Sequence, residues 1–171
     1  MLHPTWFLQR DEKIIANIIS VLIIFAIIKL IVMWTRSYSV TTREVTKEQM
    51  WNLFADVNNW HTWDDGIEQA AITGPFEQGN HFMLQPKGGP KLKVSLLKTV
   101  KNSLFLDVTH FPLAKMYDEH SFEETAGGLK ITNTITVKGL LSFVWVKLVA
   151  QNIVSALPKD IEKQIQAAKS L

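Results

Sequence analysis

Hydrophobic and polar positions divide this chain into three textures. From Ile14 to Trp34 the residues are apolar on every side of a helical wheel, with Asn17, Ser20 and Lys29 as the polar interruptions. A helix of that length spans ~31 Å, about the thickness of a bilayer core. Trp34, Arg36 and Tyr38 follow as aromatic and basic residues of the kind that anchor a helix at a membrane interface. A cleaved secretory signal is the competing reading, opposed by Asp11 and Glu12 in the leader and by the lack of a small-residue cleavage site. A helix buried in an oligomer is a second alternative. The expectation is a single-pass anchor over 14–35, after a tail of residues 1–13 and before one domain over 37–171, with the side of the membrane left open by the weak charge bias.

The second texture is short apolar runs divided by turn residues. Ser37 to Val45 reads as a first strand, rich in β-branched residues. Thr46 and Gln49 have capping-box spacing ahead of Met50, Trp51, Phe54 and Val57, which predicts a short helix, with a second short helix or turn over Asn58 to Trp63. Strands are expected at 67–73, 79–85, 92–98, 104–110, 115–124 and 129–138, separated by Gly, Pro and Asn. Spacing near ten residues with no helix between implies an antiparallel meander. The third texture begins after Gly139: a long helical stretch from Leu140 to about Lys169, apolar in its first half, amphipathic in its second, with Pro158 inside. Its length also admits a second membrane contact over Leu140 to Leu157.

Composition narrows function by exclusion. Beyond residue 36 the acidic and basic side chains balance at 14 each, so no basic face is available to grip nucleic acid. There is no cysteine, hence no disulfide and no thiolate chemistry. His61, His81, His110 and His120 are scattered without metal-ligand spacing, so neither a metal nor a cofactor is expected. No nucleophile-elbow serine occurs, and Lys87 to Lys91 reads as a hairpin turn, not a phosphate loop.

The order strand, helix pair, antiparallel meander and long terminal helix, with Trp51, Asp56-Val57, Trp60, Trp63 and Asp64 at characteristic positions, resembles the helix-grip superfamily of START-like and birch-pollen-allergen proteins (SRPBCC), in its polyketide cyclase/dehydrase and lipid-transport branch. Gly79-Asn80 stands where that family commonly has Gly-Thr. The resemblance covers about residues 38–169 and implies an α+β fold: six to seven curved antiparallel strands around a C-terminal helix. It also implies a cavity between them for a flat apolar molecule.

Extending the alternation across neighbouring strands places Leu104, Leu106, Val108 and His110 inward on one strand, Met116, Asp118, His120 and Phe122 on the next, and Ile131 and Asn133 on the last. Trp145, Leu148, Val149, Asn152 and Ala156 share a helical stripe. The expected ligand-binding set is therefore Leu106, Val108, His110, Met116, His120, Phe122, Ile131, Asn133, Trp145, Leu148, Val149 and Asn152. His110, Asp118 and His120 are weak catalytic candidates, because an Asp–His pair on one strand face suits proton abstraction beside a carbonyl. Against each stands the plainer role of a hydrogen-bonded core residue. Three functions remain open: a membrane-anchored binder of a lipid, isoprenoid or polyketide-like molecule; a cyclase or dehydratase; and an interaction module whose cavity is collapsed onto Trp145 and Phe122.

Overall fold

The computed structural model describes residues 13–22 and 33–171. Residues 13–22 are helical and exposed. The rest is an α+β fold built on a seven-stranded antiparallel sheet. The strands are β1 (Met33–Thr42), β2 (Ile67–Ile72), β3 (His81–Pro86), β4 (Leu92–Val100), β5 (Leu104–Phe111), β6 (Ala114–Thr125) and β7 (Gly128–Lys138). Their spatial order is β1-β7-β6-β5-β4-β3-β2, so β1 and β2 are the two edges. Between them in sequence lie helix α1 (Lys47–Ala55) and a 3-10 turn (Val57–Thr62). The chain closes with a short helix α2 (Ser142–Trp145), a π turn (Val146–Ala150) and the long helix α3 (Gln151–Ala168).

The anchor expectation is overturned by this architecture. Met33 and Trp34, expected at the membrane end of the apolar run, instead pair with Lys138 and Val137 as the first residues of β1. Among the described residues no helix is long and apolar enough to cross a membrane, and this holds for the Leu140 to Leu157 stretch as well. Residues 23–32 of the expected span lie outside the described residues. The period of the run misled because Thr35 to Thr42 alternates only weakly, while Met33 and Trp34 continue the apolar composition preceding them. Strand β1 therefore starts four residues before the expected Ser37.

Local chemistry explains the other elements. Thr46 caps α1: its hydroxyl accepts from the Gln49 N–H at 3.2 Å, and the Gln49 side chain accepts from the Thr46 N–H at 3.0 Å. Asn80, in the Gly-Thr position, donates to the Thr73 and Pro75 carbonyls at 3.0 and 2.8 Å and so staples the turn between β2 and β3. The strand register shifts by one residue, as at a β-bulge, between Ile67 and Gln69 and between Leu96 and Lys98.

The core forms as two apolar clusters. One gathers α1, the 3-10 turn and the end of α3 around Met50, Phe54, Phe82, Phe105, Ile131 and Ile161. The other joins Met116, Ile135 and Val137 to Val146 and Ala150, with Trp34, Phe111 and Trp145 packed against it. Along β7 the inward residues read Leu129, Ile131, Asn133, Ile135 and Val137, and Asn133 falls between the two clusters.

Candidate functional site

The gap between the two clusters is a cavity of about 470 Å³, open to solvent and bounded by the sheet, α3 and the 3-10 turn. Its volume lies in the range of small-molecule pockets. Apolar walls come from Phe54, Trp60, Phe82, Val94, Phe105 and Leu157. The polar lining is contributed by three adjacent strands and the helix: Asp107 and Thr109 from β5, Asp118 and His120 from β6, Asn133 from β7, and Asn152, Asp160 and Gln164 from α3. Asp64 and Asp65 stand where the 3-10 turn meets β2.

Strand register brings these groups together. Asp107 is directly opposite Asp118, Phe105 opposite His120, and His120 opposite Asn133. The imidazole of His120 is buried and stacked on the Phe105 ring (centroids 4.4 Å, interplanar 13°), with Phe54 tilted against it at 4.7 Å. Its Nε2 lies 3.2 Å from Asp118 Oδ1 and 3.0 Å from the Asn133 amide nitrogen. Burial pushes the Asp107 carboxyl well above the usual carboxylate range, and the neighbouring Asp118 charge pushes it in the same direction. At the rim, burial and the Asp64 charge raise Asp160, whereas the hydrogen bond from Lys163 lowers Asp65.

Of the residues expected at this site, Met116, Asp118, His120, Asn133, Asn152 and Ala156 line the cavity. Phe122 and Ile131 point to the same side of the sheet but lie within the first apolar cluster. Trp145 and Val149 belong to the second cluster, where Trp145 stacks on Phe111 at 4.4 Å and donates to the Pro112 carbonyl at 3.0 Å. Leu148 is 61% exposed. The π turn accounts for the broken stripe: its extra residue shifts the helix phase, so an i, i+3, i+4 series does not run unbroken from α2 into α3.

Strand β5 requires a correction by one residue. Leu104, Leu106, Val108 and His110 share the face away from the cavity, and Phe105, Asp107 and Thr109 face inward. His110 is exposed and takes no part in the Asp118–His120 arrangement. Assigning the more apolar parity to the inside fails for a wall that must present polar groups to a cavity. A sequence signal for the true register exists in the turn Pro112–Leu113. It pairs Phe111 with Ala114, and counting back from there sets Asp107 against Asp118. Asp64, Asp65, Asp107, Thr109, Asp160 and Gln164 are polar lining residues absent from the expected set.

No family model matches the chain, and no curated protein does. Solved structures do. A hypothetical protein from Helicobacter pylori superposes with a TM-score of 0.64 at 9% identity, covering 79% of this chain and 88% of its own. The di-domain ARO/CYC StfQ from the steffimycin biosynthetic pathway gives 0.63 at 8% identity over 83% of this chain, which spans 51% of that protein. A norcoclaurine synthase point mutant from Thalictrum, in complex with a transition-state analogue, gives 0.60 at 12% identity, covering 81% and 93%. At these identities the likeness is one of fold: the chain has the helix-grip architecture that its sequence resembles.

Proposed function

We infer that this protein binds a hydrophobic small molecule in the cavity between the sheet and α3. The observation that carries the reading is the cavity itself, about 470 Å³ with aromatic walls and a few convergent polar groups. Neither Trp145 nor Phe122 lines it, which speaks against a cavity collapsed onto those side chains. The binding unit on this reading is the stretch expected at 37–171, extended back to Met33 by β1. Met116, His120, Asn133 and Asn152 contact the ligand, joined by Phe105, Asp107 and Gln164. Trp60 and Trp63 line the same space and supply an intrinsic reporter. Titrating the full chain with a solvatochromic apolar dye should give saturable, one-site emission together with a change in tryptophan fluorescence. Absence of saturable uptake at micromolar protein would overturn the reading.

A second reading, catalysis of the cyclase or dehydratase type, draws support from the Asp118–His120 pair facing the cavity at 3.2 Å. Nε2 is the nitrogen beside the carboxylate, and the Phe105 stack holds the ring in place, as a proton-transfer group requires. The proton would pass from a substrate carbon beside a carbonyl to His120, with the resulting imidazolium stabilised by Asp118. On a substrate that turns over, His120→Ala is expected to lower kcat by roughly 10²–10⁴-fold with KM little changed. Undiminished turnover in that variant excludes the role.

A further inference from the structure

The ionisable lining of the cavity is five aspartates and one histidine, His120, which lies 3.2 Å from Asp118. Asp64, Asp65, Asp107, Asp118 and Asp160 all line it, and no lysine or arginine does. The lysines nearby act from outside: Lys163 binds Asp65, and Lys159 contributes a weaker field at Asp65 and Asp160. Acidic residues alone do not define a site. A second feature, independent of charge, marks a ligand position here. Asn133 and Gln164 are both more than nine-tenths buried and line the cavity, yet Asn133 Oδ1 and Gln164 Oε1 accept no hydrogen bond. Asp118 Oδ1 is likewise unmatched by any well-aligned donor. Asn133 Oδ1 and Gln164 Oε1 are acceptors, as is Asp118 Oδ1, whose neighbour is His120 Nε2 at 3.2 Å. Buried acceptors without donors cost free energy until something supplies the donors.

Ligand chemistry follows from that count. An alkylammonium group carries up to three N–H donors, no acceptor and a positive charge. It supplies donors to the unmatched acceptors and a charge opposite to that of Asp118. A hydroxyl offers one donor and no charge; a carboxylate offers no donor and adds a like charge. Trp60, Trp63, Phe54, Phe82 and Phe105 provide aromatic faces for an apolar body or for the cation itself. A bare metal ion fits less well, because among the described residues no grouping of three or more carboxylate or imidazole side chains is arranged to hold one.

We propose that the cavity selects an apolar molecule bearing a protonated amine, whose N–H donors meet Asp118, Asn133 and Gln164 while its hydrocarbon or aromatic body lies along the Trp60, Phe82 and Phe105 wall. The proposal rests on the binding function inferred above and specifies its ligand class. The test compares three probes of equal chain length, decylamine, decanol and decanoate, each below its aggregation limit. Binding to the full chain at neutral pH is read by tryptophan fluorescence and calorimetry. Decylamine should bind at least tenfold more tightly than decanol, and decanoate most weakly. Asp118→Asn should erase most of the amine preference, read as the ratio of decylamine to decanol affinity. Gln164→Leu, which replaces a buried unmatched amide with an apolar group, should narrow the same ratio and serves if the aspartate variant fails to fold. Equal affinity for amine and alcohol, or a preference for decanoate, would overturn the proposal and leave the cavity function standing. Failure of all three probes and of the apolar dye would bring down both.

Discussion

Asp107 concentrates the physical tension of this molecule at a single residue. It is buried, lies opposite a second aspartate, and has its carboxyl held well above the ordinary range by desolvation and then by Asp118. The folded chain therefore keeps a proton at Asp107 in a pH window where the unfolded chain has released it. Stability from that proton is complete below the ordinary carboxylate value and is lost progressively as pH rises toward the raised folded value. The slope for one such group is about 1.4 kcal/mol per pH unit inside the window. Asp107→Asn removes the titration and keeps the shape. Urea denaturation at pH 4, 5.5 and 7 should show the variant gaining stability relative to its parent as pH rises; a difference independent of pH would mean that Asp107 is solvated or paired. His120 shows how far sequence reading reaches at this scale. Its inward direction followed from alternation along β6, but its partners did not. Phe105, Phe54 and Asn133 arrive from one helix and two other strands, at separations that no local pattern encodes.

Among the elements, turns and caps were the most legible, because their chemistry is local. Thr46 and Gln49 form the capping box that their spacing implies, and the glycine- and proline-rich breaks fall between strands. Turns also carry requirements that local composition conceals. Gly128, at the tip of the β6–β7 hairpin, has φ +125°, and a Cβ there would lie 2.3 Å from the Thr42 carbonyl oxygen. Gly79 has φ +90° with nothing near its missing Cβ. Gly79→Ala should therefore cost only the conformational term, about 1–3 kcal/mol. Gly128→Ala should cost distinctly more, because backbone must move as well. Thermal or urea unfolding of the two variants gives the ranking, and equal losses would show that the β1 end yields freely. The C-terminal helix was legible in extent and wrong in phase: a π turn is one residue among many that look helical, and its signature is in the hydrogen bonding.

For the whole molecule, the decisive departure is at β1. Trp34 packs against the Ile135 and Val137 cluster, and hydroxyl pairs Thr35–Thr136 and Ser37–Thr134, at 3.1 and 2.9 Å, run along the outer face of β1 and β7. A fragment beginning at residue 38, where the family resemblance begins, deletes that half of an edge strand. Compared with residues 33–171, the fragment 38–171 should be less stable by roughly 2 kcal/mol or more, from the partial burial of Trp34 alone. Equal denaturation midpoints would show that Met33 to Ser37 contribute nothing to the fold.

The sequence by itself determined the α+β class, the meander of short strands, the capped helix, the long terminal helix and the inward set on β6 and β7. These depend on period, turn residues and capping, which act over a few positions. The tertiary structure alone decided the start of β1, the parity of β5, the helix phase after the π turn and the meeting of Asp107, Asp118, His120, Asn133 and Gln164 around one cavity. The reason is that apolar composition does not distinguish a helix from the first residues of an edge strand, and in β5 the outward-facing parity is the more apolar of the two. Register, set by the Pro112–Leu113 turn and by pairing across three strands, places polar groups inside, where a cavity rather than packed hydrocarbon receives them.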